Sequence, residues 1–221
     1  MSKVVIIDYQ LGNLFSVRQA LENIGLDVVI SHNEDELKSA DAAVLPGVGA
    51  FADAMKNLEQ QNLVEGIHQH IDSGKPFLGV CLGLQLLFHE SEEFGSAKGL
   101  GVLDGVVRKF QQTTPDGEKI RVPQISWNQI YNNNRSWANT PFDGLDQNEH
   151  MYFVHSYYIK PSNEGHTLSY TEYHGQKYTS SIIRDNVFAC QFHPEKSAAK
   201  GLTIYRNWAA QNNLISSTNH K

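Results

Sequence analysis

Short unbroken apolar runs punctuate the first part of the chain, at Val4 to Ile7, Val28 to Ile30, Ala42 to Leu45 and Phe77 to Val80. Runs without polar alternation suit strands covered on both faces, as in a parallel sheet. Between them the period changes. Val17, Ala20, Leu21 and Ile24 share one helical face, and Leu63, Ile67 and Ile71 recur every four residues until a stop at Ser73-Gly74-Lys75-Pro76. Strand and helix in alternation predict an α/β fold with right-handed crossovers.

The second half has a different texture. Segments 105–110, 120–130, 152–159, 167–173, 177–185 and 187–195 mix apolar with polar positions, and polar turns at 114–118 and 173–176 separate some of them. That pattern predicts antiparallel strands and hairpins. Leu202, Tyr205 and Ala209 form the stripe of a last helix, and the polar end, 212–221, is expected to fray. No repeat, low-complexity tract or linker divides the chain. The expectation is one α/β domain over 1–211, a mostly parallel central sheet flanked by helices with antiparallel strands in its C-terminal half, and a tail over 212–221.

Composition narrows the function classes. At 221 residues, 40% hydrophobic and 19% charged, the chain can bury a sizeable single core. A net charge of -6 argues against a nucleic-acid or anionic-membrane surface, because both recruit clustered Lys and Arg. No apolar run nears the roughly 20 residues of a membrane span. The opening MSKVVIIDY leads from a short apolar run straight into an acid, which reads as a first strand, not a signal peptide. The two cysteines, Cys81 and Cys190, do not make a disulfide framework, so a reducing cytoplasm is the expected compartment.

Candidate chemistry centres on Cys81. Gly79-Val80-Cys81-Leu82-Gly83 fits the strand-to-helix elbow G-x-nucleophile-x-G, with Cys where hydrolases carry Ser. The turn lifts the side chain out of the sheet, and a helix starting near Leu82 would aim N–H groups at the sulfur and favour the thiolate. A buried cysteine packed at a tight turn would look the same. His193 is the candidate base: in extended backbone it shares a face with Glu195, whose carboxylate could orient the imidazole, and Pro194 keeps His193 extended. Cys190 falls on the opposite face with Phe192 and reads as core. The Pro46-Gly47-Val48-Gly49 turn could supply backbone donors to an oxyanion beside the Leu82 N–H. His89 falls eight residues after Cys81 (89 − 81), inside the expected helix. No Cys/His cluster has zinc spacing and no phosphate loop appears, so neither metal nor organic cofactor is expected.

Taken together, PGVGAF at 46–51, GVCLGLQLL at 79–87 and FHPEKS at 192–197 resemble the class I (triad) glutamine amidotransferases, in the same order and over nearly the whole chain. DYQLGNLFSV at 8–17, VPQISWN at 122–128 and YFVHSYY at 152–158 are similar, within that family, to the branch that serves as glutaminase subunit of imidazole glycerol phosphate synthase. The resemblance implies a glutaminase with Cys81 as nucleophile, His193 as general base and acid, and Glu195 orienting His193. It implies oxyanion donors at Val48, Gly49 and Leu82, and glutamine contacts at Gly47, Gln85, His155, Ser156 and Tyr157. It also implies a partner, a (β/α)8-barrel cyclase that receives ammonia and faces Asn13, Trp127, Tyr152 and Lys196. Two stretches depart from the family pattern: Gln10 stands where glycine is usual, and Gln124-Ile125-Ser126 where the branch usually reads His-Met-Gly. Both are expected on the partner-facing side, away from the triad. Three other readings stay open: a paralogous glutaminase serving another acceptor such as a sugar, a standalone cysteine hydrolase of the same fold, and a non-catalytic binding protein.

Overall fold

The computed structural model describes residues 2–132 and 135–215. The four apolar runs become strands β1 (Lys3–Ile7), β2 (Asp27–Ser31), β3 (Ala42–Gly47) and β4 (Phe77–Cys81). Helices α1 (Leu14–Asn23), α2 (Glu34–Ser39), α3 (Phe51–Gln60) and α4 (Leu63–Asp72) connect them, and α5 (Leu82–Leu86) follows β4 directly. The second half, antiparallel except for the parallel β5–β7 pair, contains β5 (Phe88–Ser91), β6 (Ala97–Lys98), β7 (Leu103–Lys109), β8 (Gln124–Asn132), β9 (Glu149–His155), β10 (Tyr157–Pro161), β11 (Thr167–Tyr173) and β12 (Gln176–Arg184). The chain then returns through β13 (Val187–Cys190), a 3-10 turn at Pro194–Lys196 and α6 (Ala198–Gln211).

One sheet runs β2-β1-β3-β4-β13-β12-β10-β7-β5-β6, with β11, β8 and β9 branching from β12. Pairing is parallel from β2 to β13 and antiparallel from β13 to β12. The last strand of the chain therefore lies beside β4, and the segment that follows it is brought to the elbow after β4. Side-chain alternation splits the core into two layers. Val4 and Ile6 face the layer holding α1 and α6, while Val5 and Ile7 face the layer holding α2, α3 and α4. Val44 and Leu45 are 0% exposed, and burying each such side chain is worth roughly 1.5–3 kcal/mol.

Several expectations need correction. His89 lies on β5, because the helix after the elbow stops at Leu86. Segment 120–130 is strand only from Gln124. Segment 152–159 is two strands broken at Ser156. The tail does not fray from 212: Leu214 is 8% exposed and folds back, its N–H donating to the Ala209 carbonyl at 2.9 Å. Residues 216–221 lie outside the described residues.

Candidate active site

The elbow is strained in the manner its sequence suggests. Cys81 has φ 56° and ψ -108°, a left-handed conformation that a non-glycine residue adopts only at a cost. Gly83 is required by space: a Cβ there would lie 1.7 Å from the Leu45 carbonyl oxygen. The helix beyond is only five residues long. Its dipole is correspondingly small, so the helix contributes less to a thiolate than the sequence suggests.

His193 reaches Cys81 from the neighbouring strand end. Its Nδ1 lies 2.8 Å from Glu195 Oε1, and both side chains are almost completely buried, 2% and 1% exposed. A carboxylate only accepts, so Nδ1 carries the proton and Nε2 is the nitrogen left for chemistry. Nε2 is buried, with no partner at ordinary hydrogen-bonding geometry. Burial alone would lower the His193 pKa. The negative charge and hydrogen bonding of Cys81, then Glu195, outweigh that and raise it to about 10. The His193–Glu195 pairing does not come from an extended strand. His193 is extended, with φ -104° and ψ 96°, but Pro194–Lys196 form a 3-10 turn that folds the carboxylate back under the ring. The second oxygen of Glu195 accepts from Tyr205 Oη at 3.1 Å, a contact from α6 that no local motif announces.

In front of Cys81 opens a cleft of about 240 Å³ lined by Val48, Gly49, Leu82, Gln85, His155, Ser156 and Tyr157, among others. Seven expected residues thus converge on one cavity from β3, α5 and the β9–β10 junction. Gly47 sits below it, directly opposite Cys81 in the sheet, where a Cβ would meet Tyr9 Oη at 2.1 Å. Tyr9 Oη in turn donates to the Pro46 carbonyl at 2.8 Å and so steadies the entry to the Val48–Gly49 turn. Glu93 also lines the cleft, unanticipated, because it sits in a polar loop without a motif. Its Oε2 accepts the Phe51 N–H at 2.6 Å, and burial raises its pKa against that bond. Gln85 is less free than expected: its Nε2 donates to the Tyr157 carbonyl at 2.8 Å and to Gln191 Oε1 at 3.0 Å. His155 is held neutral by burial, its pKa lowered to about 4, with Nδ1 2.8 Å from the Tyr157 carbonyl.

Cys190 is fully buried, and burial, with the charges of Glu195 and Cys81, pushes its thiol well up. His89 is exposed beside Asp104, Nε2 to Oδ1 3.1 Å. Among the described residues no group of three or more His, Cys, Asp or Glu side chains could hold a metal ion.

The sequence matches the glutamine amidotransferase class-I family over residues 5–211. The chain belongs to the class-I glutamine amidotransferases. It is 49% identical over 207 residues to the imidazole glycerol phosphate synthase subunit HisH of Aquifex aeolicus, covering 93% of this chain and 95% of that protein. It is 45% identical over 199 residues to the HisH subunit of Bacillus velezensis, covering 90% and 92%. Solved structures share the fold at low identity. PurLQS of Thermotoga maritima has TM-score 0.72 at 16% identity, covering 94% of this chain and 98% of that one. The glutaminase domain of Trypanosoma brucei CTPS has TM-score 0.59 at 15% identity, covering 96% and 94%.

The amidotransferase's partner-facing expectations fall on one surface for three of four residues. Trp127 and Tyr152 are cross-strand neighbours with ring centroids 6.1 Å apart, and Lys196 Nζ stands 5.9 Å over the Tyr152 ring. Asn13 immediately precedes α1, which packs against the Pro194–Lys196 turn. The VPQISWN departure is not confined to the surface. Ile125 is 55% exposed, but Gln124 is wholly buried. Its Oε1 accepts from Tyr178 Oη at 2.9 Å, and that hydroxyl lies 3.3 Å from His155 Nε2 in the cleft wall. Gln10 has φ 70°, which explains why glycine suits its position.

Proposed function

We propose that the chain, over a domain spanning 1–211, is the glutaminase subunit of an imidazole glycerol phosphate synthase. It hydrolyses glutamine to glutamate and ammonia and passes the ammonia to a (β/α)8-barrel cyclase subunit in a heterodimer. That cyclase uses it to make imidazole glycerol phosphate and an aminoimidazole carboxamide ribotide in histidine biosynthesis. The single observation that carries the glutaminase chemistry is the buried Cys81–His193–Glu195 arrangement opening on a cleft of about 240 Å³.

Glutamine enters with its side-chain amide at Cys81. The Glu93 carboxylate offers a counter-charge for the substrate's ammonium, and Gln85, His155, Ser156 and Tyr157 shape the wall. The Cys81 thiolate attacks the amide carbon, and the oxyanion is met by backbone N–H groups at Leu82 and the Val48–Gly49 turn. His193, held protonated, gives its Nε2 proton to the leaving nitrogen, and ammonia departs. A glutamyl thioester remains. Water then adds with His193 as base, the C–S bond breaks, and glutamate leaves. His155, kept neutral, adds no second positive charge. Ammonia is mostly protonated in neutral water, so delivery requires a sealed face. The exposed Trp127, with Tyr152, Lys196 and Asn13, is the face we assign to the partner. Two free cysteines suit a reducing cytoplasm.

The test is glutamate release by the protein alone and with the histidine-pathway cyclase plus a nucleotide substrate analogue, with Cys81→Ala as control. Strong stimulation that disappears with Cys81→Ala is the expected result. Cys81-dependent hydrolysis that ignores this cyclase would assign the chain to another acceptor. Hydrolysis that survives Cys81→Ala would overturn the mechanism.

A further inference from the structure

Gln191, one residue beyond β13, is completely buried, and its backbone N–H donates to the Ser180 carbonyl at 2.8 Å. Its side-chain Nε2 lies 3.7 Å from Cys81 Sγ. Which end of that amide faces the sulfur follows from what surrounds it. A backbone carbonyl can only accept, so Gln85 must turn its nitrogen toward the Tyr157 oxygen, 2.8 Å away. The same nitrogen then meets Gln191 Oε1 at 3.0 Å. A flipped Gln191 would set two N–H groups against each other. The nitrogen of Gln191 is therefore the atom left for the sulfur. The Tyr157 carbonyl is also fixed by His155 Nδ1 at 2.8 Å, so the chain of constraints begins on rigid backbone.

A donor here is chemically useful. Besides His193 and Gln191, the sulfur also has a polar contact with the Val154 carbonyl at 3.9 Å, an acceptor that favours the thiol over the thiolate. The five-residue α5 is too short to supply a strong dipole. Besides His193, Gln191 is, among the described residues, the side chain with a donor in reach of the sulfur, and it can stabilise negative charge there inside the protein, where such a bond is stronger than in water.

We propose that Gln191 is a catalytic residue: its amide N–H donates to Cys81 Sγ, held in that orientation by Gln85 and the Tyr157 carbonyl. This rests on the reading of Cys81 as nucleophile. The bond acts twice. It stabilises the thiolate before attack, and it stabilises the departing thiolate when water adds to the thioester, the C–S electron pair returns to sulfur and the water proton goes to His193.

Two variants separate donation from packing. Gln191→Glu keeps an acceptor for Gln85 but brings a carboxyl that can donate when protonated and repel the thiolate when ionised, whereas Gln191→Met has neither donor nor charge, so the shift in Gln191→Met is the one that reports donation. The readouts are the pH dependence of iodoacetamide alkylation, taking only the thiol lost in Cys81→Ala, and kcat and KM for glutamine. In Gln191→Met the alkylation midpoint moves to higher pH and kcat falls about ten- to a hundredfold, the factor carried by a hydrogen bond to a charged group. KM stays within about threefold, as expected when binding is untouched. A midpoint that stays in place, or a loss confined to KM, overturns the proposal. Should neither variant fold, side-chain amide NMR of the unmodified protein decides. The Gln191 amide signal titrates with the alkylation midpoint and stops doing so in Cys81→Ala; a signal indifferent to Cys81 ionisation overturns the proposal. Full glutaminase activity in Cys81→Ala would sink the nucleophile reading instead, a distinct failure.

Discussion

Strands β4 and β13 lie side by side, run parallel, and each ends on a cysteine. The two thiols are set up for opposite work. Cys190 pairs in register with Val80, one residue short of Cys81, so it stays inside the core layer and its Sγ donates to the Phe192 carbonyl at 3.5 Å. Cys81 stands one step further on, in a left-handed conformation at the cleft, and its sulfur receives an N–H from Gln191. The difference is that Cys81 combines backbone strain with a donor at its sulfur, and on these we rest its assignment as the nucleophile. Neither follows from being a cysteine at a strand end.

Exchanging the thiols' fates is the most severe test of that contrast. Cys81→Ser lowers glutamate release at least about a thousandfold, the scale expected when a nucleophile is lost. Cys190→Ala leaves kcat within about threefold and costs roughly 1 kcal/mol of stability in urea unfolding, the loss of a small buried group. Comparable losses from both would abolish the distinction.

Burial, with a smaller contribution from His193 beyond the β13 end, sets the charge of His155 across the cleft. His155 has a folded-state pKa of about 4, set by burial and assisted by the positive charge of His193. The unfolded chain binds that proton near pH 6.5, the folded chain only near pH 4, so between them the unfolded state holds more protons. Stability from this residue is present above about pH 6.5 and is lost as pH falls through about 4, in total roughly 3 kcal/mol. Urea midpoints measured from pH 7 to 4 should fall, and His155→Gln should flatten the curve over that window. An unchanged slope would show that His155 does not hold the proton balance.

Tyr205→Phe sharpens the contrast at its support. It keeps the buried ring but removes the donor to Glu195 Oε2, freeing the carboxylate that orients His193. kcat falls about tenfold with KM little changed, within the range for a hydrogen bond to a charged group. The alkaline limb of the pH–rate profile shifts as well, which a packing role alone would not produce. The smallest effect is at another left-handed position, Gln10 after β1, where strain carries no chemistry. Gln10→Gly raises stability by about 0.5–1 kcal/mol in thermal unfolding and leaves kcat unchanged. A loss of activity there would mean that this loop, too, supports the glutaminase.

Much of this is legible locally. Continuous apolar runs place the parallel strands, because a strand covered on both faces needs no polar side. The elbow is legible because Gly79 and Gly83 flank a residue that must turn sharply, and Gly83 leaves room for the Leu45 carbonyl. What local pattern does not supply is contact between distant segments. The pairing of Glu195 with His193 can be anticipated, but not its route through a 3-10 turn, since two neighbouring polar groups can meet in either conformation. His89 escapes local reading because the apolar run after Cys81 does not reveal where α5 yields to β5.

The α/β order, the sharp Gly79–Gly83 elbow and the three motifs that carry the family are all written within a few residues, by backbone sterics and side-chain period. Which polar groups meet depends on how distant segments pack. Gln85 and Gln191 are 106 residues apart, and Tyr205 and Glu93 carry no motif. They join the site because β13 inserts beside β4 and brings its end to the elbow, and because a buried hydrogen-bonding group must find its partner wherever the folded chain happens to place one.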